Sequence, residues 1–295
     1  MKKAILAVRI GLALGTVGAC AVAQAATITQ WTFENDSIAV NNNPAPSTGT
    51  GTASSLGMNV YATPNVGVTT DDVLKGTNSD TGANNVADTT QTWRVRGQAG
   101  ANGAANGWAS LAPIGTQGAQ FAASTAGYGN VTVSFDWYAT TQGEANLQLQ
   151  YTTNGTTWQN AALTLSGSDT GLKVLTNSGS DTNTVTGSYV SDNLLNNGSK
   201  AGQDWFTDLT ATITNPNAAN DPNFAIRLVN ASTGADDVST QGTALNNSSG
   251  NWRFDNVAIS GTATPVPLPA TAWLMLSGLG ALGGLARKRR AKQRS

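Results

Sequence analysis

The amino-acid sequence predicts an all-β protein with a single β-sandwich domain, and three observations lead to this prediction. Apolar and polar residues alternate over several short segments, which is typical of strands that bury one face. Helical periodicity is hard to find between Ala26 and Thr264. Threonine is abundant, and the stretches between the alternating segments are rich in asparagine and glycine, as expected of turns between many short strands.

The first predicted strand is residues 28–33, and the most regular one is residues 131–137. In the second of these, valine, phenylalanine and tryptophan side chains share one face, while Asp136 stands on the outward face. Residues 41–59 are rich in asparagine, proline, serine, threonine and glycine, and this composition predicts a loop.

A hairpin is predicted in the middle of the chain. Alternation over residues 147–151 is followed by Asn154-Gly155, a dipeptide typical of two-residue hairpin turns, so that Thr157-Trp158 begins the return strand. Residues 166–200 are polar and predict either a long insertion or a ragged hairpin.

The last part of the body contains two further predicted strands. Residues 224–228 carry an apolar stripe with a period of two. Residues 252–259 are also apolar on alternate positions, but the parity changes half-way, which predicts a β-bulge near Asp255-Asn256. No proline-rich linker divides the body, so one domain is expected over residues 26–261.

The composition excludes several kinds of chemistry. The 295 residues contain no histidine, so the chain has no Ser-His-Asp or Cys-His catalytic site and no histidine-ligated zinc or haem. Its one cysteine, Cys20, excludes an intrachain disulfide and a thiolate metal cluster. Carboxylate chemistry, oxygen-ligated cations and binding without chemistry remain.

The charges are unevenly distributed along the chain. Three cations lie within residues 1–9 and six within residues 287–294. The segment between them holds seven cations and all seventeen acids, hence a net charge of −10. An acidic body repels phosphate backbones, so no nucleic-acid partner is expected.

Residues 1–25 predict a secretory signal peptide. Lys2 and Lys3 precede an apolar stretch, and Ala23-Gln24-Ala25 supplies the small residues of a cleavage site. The expected partners are the Sec machinery and signal peptidase, which would cut after Ala25. A lipoprotein-type site at Cys20 and a buried helix are the alternatives.

Residues 270–286 predict a transmembrane helix. They carry no charge and would span about 25 Å as a helix, near the lower limit for a bilayer. Trp273 stands near the start, as an interfacial aromatic does. Residues 287–295 form a basic tail, which favours the cytoplasmic side and places the body outside. A core helix is the alternative.

The same end carries a short motif, Val266, Pro267, Leu268, Pro269 and Ala270, ahead of the apolar run and the basic tail. This order resembles the PEP-CTERM sorting signal in its VPLPA variant, with Leu268 where the commonest form has glutamate. The resemblance implies a Gram-negative exporter, processing by an exosortase, transient anchoring in the inner membrane, and release to the cell surface or extracellular polysaccharide matrix. Proline disfavours a helix over the linker 262–269, so we expect an extended segment that the enzyme can reach.

The body also resembles the jelly-roll modules of bacterial secreted proteins, which predicts a jelly-roll-like sandwich. The resemblance rests on these segments: residues 31–34, 93–97, 106–108, 118–121, 131–137, 150–158 and 252–259. It implies that the first and last strands are neighbours, and that the body binds sugars or serves as a surface scaffold.

A calcium ion is the one cofactor that we consider. Ca²⁺ takes six to eight oxygen ligands from carboxylates, amides and backbone carbonyls. If the terminal strands adjoin, Glu34, Asp36, Asp255 and Asn256 could converge, as in the structural calcium sites that the jelly-roll resemblance implies. Solvated loop acids are the alternative reading of the same residues.

Two tryptophans, Trp108 and Trp158, are candidates for sugar binding. They lie beside polar loops, as Trp93 and Trp205 also do, where an aromatic face could stack on a sugar and nearby amides could bind its hydroxyls. The alternative is that these rings fill the core.

Carboxylate catalysis is the remaining possibility. A glycosidase needs two acids on either side of the bond, and Glu144 with Asp136 is the pair that the sequence offers. Nothing in their spacing requires such a pairing. The sequence therefore predicts an exported, exosortase-processed protein whose body is not an enzyme, with a carbohydrate-binding module as the alternative and a carboxylate-dependent glycosidase as a further one.

Overall fold

A computed structural model of the chain describes residues 24–34, 43–57, 67–70, 91–95, 108–140, 142–164, 173–176, 188–191, 206–233, 238–240, 243–245, 250–264 and 275. Several predictions fall outside these residues. They concern the signal peptide before Gln24, the side chain of Asp36, the motif Val266–Ala270, the basic tail, and the apolar segment 270–286 apart from Met275.

Within the described residues, thirteen strands form two antiparallel sheets, which confirms the all-β prediction. Among the residues that the structure describes, one 3-10 turn, Pro216–Ala218, lies between two of these strands. The strands are β1 (Ala25–Trp31), β2 (Thr52–Leu56), β3 (Gly67–Thr70), β4 (Gln91–Val95), β5 (Gly118–Ala122), β6 (Tyr128–Ala139), β7 (Asn146–Thr152), β8 (Gln159–Asn160), β9 (Lys173–Thr176), β10 (Ser188–Ser191), β11 (Phe206–Thr212), β12 (Ala225–Asn230) and β13 (Trp252–Ala263).

The first sheet has the order β11-β6-β13-β4-β3, and β1 lies beside β13. The predicted pairing of the first and last strands is confirmed, since Trp31 of β1 lies opposite Val257 of β13. The predicted bulge is confirmed as well. The register of β13 against β6 shifts between Asp255 and Ala258, and Asn256 has a φ of 49°.

The second sheet has the order β2-β5-β12-β7-β10-β9, and β8 lies beside β7. The predicted hairpin joins β7 to β8, with Gly155 at a φ of 74° in its loop. The return strand begins two residues later than predicted, at Gln159 and not at Thr157. Strands β9 and β10 pair within the polar region 166–200, so this region contains a hairpin.

One loop prediction is wrong in part. Residues 52–56 form β2, which pairs with β5 along its whole length although its composition is that of a loop. Small and hydroxyl side chains suit this position because only Ala53 of the strand is fully buried, and the rest of β2 lies at the edge of its sheet.

The core lies between the two sheets, as in a β-sandwich. Phe121 of the second sheet contacts Trp31, Trp93 and Phe254 of the first, with ring centroids 5.1, 5.6 and 6.4 Å apart. All four rings are at most 1% exposed. Alternation along each strand delivers these side chains to one face, so the apolar stripes that predict the strands also predict most of the core.

In the part of the chain that the structure describes, no helix is both long enough and apolar enough to cross a bilayer. Met275, the described residue of the segment 270–286, is helical and 74% exposed.

Candidate functional site

An open cavity lies on the outer face of the second sheet, and its floor is a row of small side chains. Thr52, Ala122, Ala225 and Thr152 lie opposite one another on β2, β5, β12 and β7. Residues directly opposite one another across strands share a face, so the row is continuous. Because no member is larger than threonine, the sheet surface is recessed at this row.

A second row of larger polar side chains runs beside the floor, two residues further along the strands. It consists of Ser54, Gln120, Arg227, Gln150 and Asn160. The amide of Gln150 donates to Asn160 Oδ1 at 3.0 Å, which connects β7 to β8 on this face. The two rows make this surface polar, whereas the opposite face of the same strands is core.

The loop between β7 and β8 forms a wall of the cavity. Asn154 Oδ1 accepts hydrogen bonds from the backbone N–H groups of Thr156 and Thr157 at 3.0 and 2.8 Å, so the loop is braced from inside. This loop carries Trp158, which is half-buried and lines the cavity.

Arg227 holds the ring of Trp158 against the sheet. The guanidinium carbon lies 3.5 Å from the centroid of the ring, a close cation–π contact. Its Nη1 donates to the carbonyl of Gly115 at 3.2 Å. Burial lowers the pKa of Arg227 to about 10, so the side chain remains a cation at neutral pH.

The cavity has a volume of about 500 Å³, within the range of about 300–1,000 Å³ that is usual for small-molecule sites. Besides Trp158 and the floor, its lining includes the polar residues Thr50, Gln120, Ser124 and Asn223. Among the described residues that line it, none is charged. The cavity therefore offers an aromatic surface, hydroxyls and amides to a ligand.

Trp108 does not belong to this cavity. The side chain is 0% exposed, and its ring centroid lies 4.3 Å from that of Trp252 in the core. A ring with both faces covered offers no surface to a sugar, so the expectation of a binding platform at Trp108 is replaced by a core role. Trp93 is likewise 0% exposed, and Trp205 lies outside the described residues.

Of the residues expected to bind calcium, Glu34 follows β1, whereas Asp255 and Asn256 lie in β13, the strand beside β1. Glu34 Oε1 accepts from the backbone N–H of Gln91 at 3.3 Å. Asp255 is 0% exposed and accepts from the backbone N–H of Asn256 at 2.7 Å. Asp36 lies outside the described residues, and the residues that are described contain no group of three acids placed to hold a metal.

The two acids considered for catalysis are both buried. Asp136 is 3% exposed, although the alternation places it on the outward face, and its two oxygens accept from the backbone N–H of Asp208 and from the amide of Asn256. Glu144 is 0% exposed, and its Oε1 accepts from the N–H of Asn146 and the hydroxyl of Ser232 at 2.9 and 2.8 Å. The hydrogen bonds described for the two carboxylates go to different partners.

Sequence reasoning finds Trp158 but misses the rest of the cavity. Four different strands supply the floor, and their pairing cannot be read from the sequence. The sequence does contain one indication of the outer face of the second sheet, the apolar stripe at residues 224–228. Because Ile226 and Leu228 are buried, Arg227 must face outward.

A comparison with protein-family models identifies one segment of the chain. Residues 265–290 match the PEP-CTERM protein-sorting motif, and this is the segment whose residues resemble that signal in the sequence. No curated protein matches the chain. The chain therefore carries the PEP-CTERM sorting signal directly after its β-sandwich, and this signal indicates an exported protein that is targeted to exosortase.

Proposed function

We propose that the chain is a non-enzymatic component of the cell surface or of the extracellular polysaccharide matrix. The observation that carries the proposal is the sorting motif at residues 265–290, which indicates an exported protein targeted to exosortase. The Sec machinery and signal peptidase act first in this scheme, and exosortase removes the C-terminal segment after transient anchoring in the inner membrane.

The end of the fold supports processing at this place. Thr264 is the last described residue before the motif, and its backbone N–H donates to the carbonyl of Gly127 at 2.8 Å. The matched motif starts at the next residue, so the sandwich is complete where the signal begins. A cut within the motif would leave every described strand intact.

The arrangement of the acids supports a body without catalysis. A glycosidase needs two carboxyl groups that face a common substrate, about 5–9.5 Å apart. The hydrogen bonds described for Asp136 and Glu144 instead come from different partners, and neither acid belongs to the described cavity lining. The supporting observation is thus their burial, because a buried carboxylate cannot reach a polysaccharide without a rearrangement.

Processing in the native host tests the proposal. We expect wild-type protein to appear in the surface or matrix fraction with an intact mass that lacks both terminal segments. A Pro267→Ala/Pro269→Ala variant should remain in the membrane fraction at the higher mass, while a Thr264→Ser control, outside the motif, should be processed normally. Equal release of the proline variant, or full-length wild-type protein in the cell interior, would contradict the proposal.

A carbohydrate-binding module is the second candidate function. The observation that favours it is the cavity beside Trp158, whose lining combines an aromatic ring with hydroxyls and amides. Such a body would hold the exported protein in the polysaccharide around the cell. Retention of the mature protein on matrix polysaccharide, measured by co-sedimentation, separates it from a scaffold that does not bind sugar.

A further inference from the structure

We propose that the cavity beside Trp158 binds a neutral polysaccharide chain, and that Arg227 positions the tryptophan without contacting the ligand. The proposal gives the second candidate function a site and a ligand class, and it rests on the proposed function only because export brings the body to extracellular polysaccharide. Its evidence is the shape and the chemistry of the cavity.

The aromatic surface of the cavity is one-sided. The guanidinium of Arg227 occupies one face of the Trp158 ring at 3.5 Å, and Trp158 lines the cavity whereas Arg227 does not. The other face and the edge of the ring are therefore what remains for a ligand. Sugar rings present flat patches of C–H groups, which pack well on one face of an indole.

The polar lining matches a ligand with many hydroxyl groups. Gln120 and Asn223 each supply an amide that both donates and accepts, and the threonines at positions 50 and 52 supply hydroxyls that do the same. A sugar hydroxyl is also both a donor and an acceptor. These groups come from two strands, β2 and β5, and from two loops, so they lie on more than one side of the floor.

The charge of the lining selects a neutral ligand. None of the described lining residues is charged, and Arg227, whose guanidinium lies on Trp158, donates its Nη1 to the carbonyl of Gly115. A uronic acid or sulfated sugar would lose hydration in the cavity without gaining a cationic partner. The net acidity of the body also opposes polyanions.

The form of the cavity selects a chain over a single sugar. It is open to solvent, and its floor follows the row Thr52–Ala122–Ala225–Thr152 across four strands. An open cavity of this kind can contact part of a polymer whose remaining units lie in solvent. A closed pocket would be needed to surround a free monosaccharide.

The test measures binding by affinity electrophoresis and calorimetry, with the full chain kept in mild detergent. The neutral ligands are soluble glucan, mannan, xylan and galactan, and polygalacturonate is the acidic probe. We expect binding to at least one neutral polymer and none to polygalacturonate. Trp158→Ala and Ala122→Leu, which fills the floor, should each weaken binding at least tenfold, while Trp158→Phe should lose less than fivefold.

Arg227→Met tests the positioning role. It should weaken binding to neutral polymers about threefold to tenfold, and Arg227→Lys should restore part of the loss because it keeps a cation over the ring. Leu111→Ala, an exposed apolar residue outside the cavity at 81% exposure, is the matched control and should bind as wild type. Circular dichroism melting of every variant verifies that it is folded.

Several results would overturn the inference: no binding to any neutral polymer, binding that Trp158→Ala and Ala122→Leu leave unchanged, or a preference for polygalacturonate. Because the assay uses purified protein, these outcomes do not depend on export. If the purified protein binds sugar but is not processed in cells, the proposed route to the surface would be contradicted and the sugar site would not.

Discussion

Trp108 and Trp252 touch in the core, yet only one of them has a partner for its indole N–H. Trp252 Nε1 donates to the carbonyl of Glu144 at 2.7 Å. Trp108 Nε1 is buried and has no hydrogen-bond partner among the described residues. Replacing each with phenylalanine removes a similar volume from the same cluster, so the pair isolates the effect of the N–H group.

The structure predicts a large difference between the two variants. Trp252→Phe leaves the Glu144 carbonyl without this donor, which costs about 1–3 kcal/mol, and Trp108→Phe removes an unpaired buried donor whose penalty is of the same order. Trp252→Phe should therefore lower the free energy of unfolding by at least about 2 kcal/mol more than Trp108→Phe. Trp108→Ala should cost about 3–5 kcal/mol, because it opens a cavity in the core.

Urea unfolding of the full chain, followed by far-ultraviolet circular dichroism, measures these differences. Equal slopes of the transitions in wild type and variants indicate that only stability has changed. A Trp108→Phe variant as unstable as Trp252→Phe would refute the reasoning about the N–H groups. An unchanged urea midpoint for Trp108→Ala would refute the core position of this ring and indicate that the ring lies at the surface.

Three further predictions concern chemistry. Because the pKa of Arg227 is about 10, its charge and the proposed sugar binding should be constant from pH 6 to 9. Binding should fall above pH 10, where the cation over Trp158 is lost. A decline of binding near pH 7 would contradict this prediction. Glu144→Gln keeps an acceptor for Ser232, so the variant should still fold, and it should not change turnover of polysaccharide, whereas a glycosidase would lose its activity. If calcium binds near Asp255, calcium at a hundredfold excess over Kd should stabilise the fold by about 2.7 kcal/mol and so raise the melting midpoint. A midpoint that a chelator leaves unchanged would contradict calcium binding.

Alternation predicts the strands of this protein because each buries one face. The stripe at residues 131–137 gives the core side of β6, and the parity change at residues 252–259 locates the bulge in β13. Both are local patterns, readable within a dozen residues. β2 escapes this reasoning because it lies at an edge and buries a single alanine, so its composition stays that of a loop.

The candidate site is harder to predict because its parts are distant in sequence. Ala122 and Ala225 are unremarkable alone, and only the register of β5 against β12 makes them a floor. Trp108 is misjudged for a related reason. It lies outside any alternating stripe, so nothing local reveals that it packs on Trp252. Pairing between remote strands depends on the whole chain, which local propensity does not encode.

The partnership of β1 with β13 has a mechanical consequence. Ala26 lies opposite Gly261, so the residues adjoining the two terminal signals emerge from the same pole of the sandwich. A precursor held at the bilayer by both of its terminal segments would therefore have this end of the sandwich nearest to the membrane. A force that pulls on the C-terminal side would act first on β13. This strand pairs with β6 on one side and with β1 and β4 on the other, so hydrogen bonds on both of its edges resist the force.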